Sequence, residues 1–145
     1  MIALAILEQL TDDLTGLEID KNCFYEELPL QHDGKPAHGV WAVTRGGAIN
    51  NAAKSLNLRS TVDFYVAFKD KLKTDGTHHA ILGWIATHPT ICELSCPYMG
   101  GQTMTFYNVR IRPTSTPQNT GATENGDIVK FASIDVIYDT PTINQ

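Results

Sequence analysis

The sequence predicts an α+β fold: an antiparallel or mixed β-sheet with two helices packed on one face and a long β-hairpin loop. Three observations predict it. Apolar residues recur at helical spacing in two segments, one at the N-terminus and one from about Thr77 to Thr87. Elsewhere apolar and polar residues alternate, as strands with one dry and one wet face require. Two strand-like segments, Met104–Arg112 and Asp127–Tyr138, flank a polar spacer, Pro113–Gly126, in which no apolar residue is larger than Ala122. Such a spacer cannot bury itself, and compact domains rarely keep one unless it is functional or disordered.

Taken in order, Ile2, Ile6, Leu7, Leu10, Leu14 and Leu17 form a helical stripe, with Glu8, Gln9, Asp12 and Asp13 opposite and Gly16 suited to the end. Asn22–Leu28 reads as a strand that Pro29 demotes to an edge, and His32–Pro36 reads as a polar turn. The strand Gly39–Arg45 follows, terminated by Gly46-Gly47, and Ala48–Asn57 reads as a loop or frayed turn. Leu58–Phe68 has the clearest two-residue period: Leu58, Val62, Phe64, Val66 and Phe68 face the core, while Arg59, Thr61, Asp63, Tyr65 and Lys69 face water. The second helix is capped by Asp75 or Thr77, carries Ala80, Ile81, Trp84 and Ile85 as its stripe, and is stopped by Pro89. Gly83 within it signals close packing. A strand at Thr90–Ser95 and a Gly100-Gly101 turn lead into the final pair.

At 145 residues and 42% hydrophobic content, the chain reads as one domain over 1–145, with a flexible loop at 113–126 and a short tail at 140–145. No apolar run approaches the roughly 20 residues that cross a bilayer. Met1–Leu7 has the apolar character of a signal segment, but no basic residue precedes it and Glu8 interrupts it, so a cytosolic start is expected. The net charge of −5 is uneven, since Glu8, Asp12, Asp13, Glu18 and Asp20 all precede the first basic residue, Lys21. Basic residues are scattered, with small groups at Lys69, Lys71 and Lys73 and at Arg110 and Arg112, which argues against sequence-independent binding of nucleic acid.

Cys23, Cys92 and Cys96 form no disulfide framework, and reduced thiols are expected. His88, Cys92 and Cys96, with His78 and His79 upstream, are the best metal candidates. On a regular strand, however, Cys92 and Cys96 stand roughly 13 Å apart at a rise of about 3.3 Å per residue, too far for one ion. Nothing places a base or an oxyanion donor beside any thiol, so buried inert cysteines are the better reading. No cofactor and no catalytic residue is predicted. Thr44-Arg-Gly-Gly47 lacks the Lys-Ser/Thr and following helix of a phosphate loop; Arg45 there is placed instead to reach a carboxylate on a neighbouring segment or subunit. The acidic helix face of Glu8, Asp12 and Asp13 is a solvated surface, or else a seam to a partner or a wall that repels DNA.

The N-terminal amphipathic helix, the strand Val40-Trp-Ala-Val-Thr-Arg-Gly-Gly47, the central helix over Asp75–His88 and the closing strand–loop–strand element together resemble the minor capsid and tail-terminator proteins of long-tailed bacteriophages. The resemblance covers most of residues 1–139. It implies a virion protein of the tail or neck, assembled in the host cytoplasm as a ring, typically hexameric. Such a ring ends tail-tube polymerisation, contacts the tube protein and the head-neck connector, and leaves a channel through which DNA passes without specific binding.

The candidate interface residues are Arg45, Glu8, Asp12, Asp13, Arg110 and Arg112, with Gln118, Asn119, Thr120, Glu124 and Asn125 of the spacer. The spacer has hydrogen-bonding capacity and a single charge, so it reads as a docking segment. The alternative function is a small ligand-binding or regulatory α+β module, its pocket framed by His32–His38 and Pro113–Gly126. An enzyme using a thiol or a metal is a third reading.

Overall fold

The computed structural model describes residues 1–26, 38–50, 57–114, 119–122 and 128–144, with 47–50 and 119–122 described by their backbone. The elements are α1 (Ile2–Asp13), β1 (Cys23–Tyr25), β2 (Gly39–Asn50), β3 (Asn57–Ala67), α2 (Lys71–Thr87), β4 (Thr90–Pro97), β5 (Thr103–Pro113), β6 (Asn119–Ala122), β7 (Ile128–Asp139) and β8 (Thr142–Asn144). The strands form one mixed sheet in the order β1-β2-β3-β7-β5-β4, with β6 paired to β7 and β8 to β5. Only the short β1–β2 pair among them is parallel. This is the expected α+β fold.

Both helices cover the same sheet face. Ile2, Ile6, Leu7 and Leu10 of α1 and Ile81, Trp84 and Ile85 of α2 join Val62, Phe64, Val66, Ile134 and Val136 in a single core. The helices also touch each other, because Trp84 Nε1 donates to Asp13 Oδ2 at 2.8 Å. Leu14 and Leu17 lie beyond the end of α1 but still pack against the core.

Several boundaries differ from expectation, each for a local reason. Gly46 does not end β2; its positive φ of 64° accommodates a bulge between Arg45 and Ala48, after which pairing with β3 resumes. α2 begins at Lys71, not near Thr77, because Asp70 caps it by accepting from the Leu72 amide at 2.9 Å. Its buried face includes Thr74 and His78, whereas Ala80 is exposed. A Cβ at Gly83 would meet nothing within 4 Å, so close packing is not the reason for that glycine. Within the spacer, Pro113 still belongs to β5 and Asn119–Ala122 forms β6 against β7. Residues 142–144 of the expected tail form β8. The expected turn at His32–Pro36 lies outside the described residues.

β7 is the hub of the sheet. From Lys130 to Asp139 β7 pairs with β3 on one edge; on the other, β6 takes Ile128–Lys130 and β5 takes Ile134–Ile137. Phe131 falls in the gap between β6 and β5, and there the Nε2–H of buried His78 donates to its carbonyl at 3.0 Å. A buried backbone carbonyl needs a donor, and α2 supplies the one the ladder lacks. On β5 the inward-facing positions change phase at Asn108, which has a left-handed φ of 52°. Thr105 apart, the even-numbered Phe106 is buried before it and the odd-numbered Val109 and Ile111 after it. That phase change turns Arg110 and Arg112 away from the helices.

Candidate functional site: the helix-free face of the sheet

The face of the sheet opposite the helices is built by alternation. Strand register aligns Trp41 of β2, Tyr65 of β3 and Phe131 of β7 in one row across it. Trp41 stacks on Tyr65 with centroids 5.1 Å apart, and Tyr65 meets Phe131 at 5.3 Å. All three rings are half-buried, so they present an aromatic strip rather than a core.

Beside the strip lies an ionic network. The Arg45 guanidinium grips Asp63 through Nε to Oδ2 and Nη2 to Oδ1, the second contact at 3.2 Å. Ser133 Oγ donates to Asp63 Oδ1 at 2.7 Å. Asp63 was expected to face water; its side chain is only 3% exposed, whereas that of Arg45 is 61% exposed. A carboxylate so buried needs charge-assisted partners, and Arg45 with Ser133 provides them. The Asp63 carboxylate in turn holds the Arg45 guanidinium charged, first through the hydrogen bond and then through its charge. One row further, Asp135 accepts from Arg59 Nη2 at 2.6 Å and Thr61 Oγ1 at 2.9 Å. Burial raises the Asp135 carboxyl, but those bonds and the Arg59 and Arg45 charges outweigh it and hold it below the usual range.

Arg112 is opposite Asp135 and Arg110 opposite Ile137, so both share this face. All four arginines of the chain therefore project from one side. Arg45 and Arg59 are paired, and Arg110 and Arg112 are exposed without an ion-pair partner among the described residues. Sequence reasoning selected Arg45, Arg110 and Arg112 but missed Arg59, whose signal was its shared phase with Thr61, Asp63 and Tyr65.

The other selected residues lie elsewhere. Glu8, Asp12 and Asp13 are on α1, on the helical side of the molecule. Asp13 is not simply solvated: the Trp84 bond lowers its pKa, against a smaller upward push from burial, and Gln9 and His88 lower it further. Asn119 and Thr120 are placed by the backbone of β6, while Gln118, Glu124 and Asn125 fall outside the described residues.

The thiols do not converge. Burial raises the Cys23 thiol to about 11 against a backbone hydrogen bond, and burial also raises Cys96, whereas Cys92 is exposed. His88 stacks on Trp84 at 4.6 Å and donates from Nδ1 to the Trp84 carbonyl at 2.7 Å. Among the described residues no three His, Cys, Asp or Glu side chains are grouped to hold a metal ion. A cavity of about 340 Å³ opens between α2 and β7, walled by Phe68, Leu72 and Ile128, by Lys69, Lys71 and Lys130, and by Thr74 and Asp75. Compared with known proteins, the chain matches no family model and no curated protein.

Proposed function

We propose that this chain is a structural assembly protein, a tail terminator or related neck component of a long-tailed bacteriophage. It forms a ring at the head-proximal end of the tail tube, stops tube polymerisation and joins the tail to the head-neck proteins. The observation that carries the assembly reading is the helix-free sheet face, which presents an aromatic strip and all four arginines on a small chain. Arginine and aromatic side chains are the types enriched at protein interfaces, and a face pinned by Arg45–Asp63–Ser133 is pre-organised for docking. The phage assignment itself rests on the resemblance in the order of elements. Native mass spectrometry and negative-stain imaging test the reading, with co-sedimentation on tail-tube protein. Rings that bind the tube are expected; a strictly monomeric protein that binds no tube overturns it.

The pocket expected between His32–His38 and Pro113–Gly126 lies mostly outside the described residues. The cavity beside α2 nevertheless favours the same second reading, a small ligand-binding module, because its volume lies within the range of ligand pockets. Three lysines line it, of which Lys130 pairs with Asp75 at 3.6 Å, leaving Lys69 and Lys71 to meet an anionic ligand. A thermal shift with small carboxylates or phosphates, lost in Lys69→Ala/Lys71→Ala, would favour this reading over the first.

A further inference from the structure

We propose that Arg110 and Arg112 at the end of β5 receive the acidic face of α1, through Glu8 and Asp12, from a second copy of this chain. Copies then associate head to tail. The inference rests on the assembly reading above and names the seam.

Both halves of the seam are unsatisfied within one chain. Arg110 and Arg112 are exposed and lack an ion pair among the described residues, and the same holds for Asp12 and the half-exposed Glu8. The two halves cannot meet intramolecularly, because α1 packs on the inner face of the sheet and the arginines leave the outer face. Their spacings correspond. Arginines two residues apart on a strand stand about 6.7 Å apart along it. Carboxylates four residues apart on a helix are separated by about 6 Å of rise. A guanidinium engages a carboxylate through two parallel donors, so two such pairs at matched spacing fix orientation as well as contact.

The acidic side also offers a shaped surface. Glu8 and Asp12 wall an open groove of about 410 Å³ together with Tyr98, Gln102 and Thr103. Met99, next to Tyr98, is 71% exposed and can cover the aliphatic stems of incoming arginines. Donor and acceptor surfaces are different patches of the chain. The contact is heterologous, and it closes into a ring or extends as a filament according to the rotation between copies.

The test uses the full chain in two charge-reversed forms, Arg110→Glu/Arg112→Glu and Glu8→Lys/Asp12→Lys, with association followed by analytical ultracentrifugation at low salt. Wild type is expected to self-associate, and each reversed form to do so at least about tenfold more weakly. Mixing the two reversed forms should restore hetero-association. Circular dichroism checks folding, and Arg110→Gln/Arg112→Gln gives the same direction of effect with less perturbation. Self-association that survives every reversal overturns the seam while leaving the ring reading standing. A wild type that stays monomeric at all concentrations overturns both. If instead wild type binds oligothymidylate, and arginine reversal abolishes that binding without changing association, the face serves single-stranded nucleic acid and the seam is wrong.

Discussion

At the scale of single residues, Asp63 is the one fully buried carboxylate among the described residues. Its carboxylate is buried under Arg45 and Ser133, so removing the guanidinium strands a charge in a dry site. Arg45→Ala is expected to destabilise by about 2 kcal/mol, less than the roughly 3–5 kcal/mol of a fully buried pair, because water can enter where the exposed arginine stood. Adding Asp63→Asn should recover part of the loss, and a double-mutant cycle in urea measures the coupling. Asp135 gives the pH counterpart. Its carboxyl titrates lower folded than unfolded, so its contribution is present above the ordinary value of 3.8 and is lost as pH falls through the depressed folded value. Stability should therefore fall on acidification below about pH 4, and Asp135→Asn should flatten that dependence in denaturant titrations. Neither role was legible in the alternation of β3 and β7. Period two assigns a residue to a face but does not say whether the neighbouring strands bury it, and Ser133 lies 70 residues away.

At the scale of elements, two glycines should respond in opposite directions. A Cβ at Gly39 would stand 2.4 Å from the Asn22 carbonyl oxygen. That oxygen accepts from the Val40 amide at 2.8 Å, so it cannot withdraw without breaking the entry to β2. Gly39→Ala is expected to lower the melting temperature and cost about 2 kcal/mol or more. Gly83 lies inside α2 with open space around it, and Gly83→Ala should stabilise by about 0.5–1 kcal/mol. Thermal unfolding of both variants checks the pair. Element existence was largely readable from periodicity: α1, β3, β5 and β7 lie close to where the spacing of apolar residues puts them. Boundaries failed where a side chain or a glycine acted against the pattern. The first turns of α2 are Lys71-Leu-Lys-Thr-Asp-Gly76, with no apolar stripe to announce a helix, and the Asp70 cap starts it there. At Gly46 the glycine bends the strand instead of stopping it.

For the whole molecule, the division between a helical side and a bare sheet side explains how one chain holds acidic and arginine-rich surfaces apart. The acidic residues of α1 were visible as a face because a helix is a local object. The arginine face was not, since it assembles from β2, β3 and β5 across register that no local pattern encodes. Its composition nevertheless follows from simple alternation once that register is known, and the phase change at Asn108 completes it.

The position of β7 between β3 and β5 has a kinetic consequence. Strands β3 and β5 are made first but share no ladder with each other, and each waits for β7 to supply the missing edge. During synthesis the apolar faces of Val62, Phe64 and Val66 must therefore be held without their central neighbour until residues 128–139 have left the ribosome. Sheets that close through such distant pairings fold slowly and leave open edges meanwhile. A chain interrupted before β7 would carry two unpaired strand edges and a divided core, so the nascent protein is most exposed to misassociation just before its hub strand emerges.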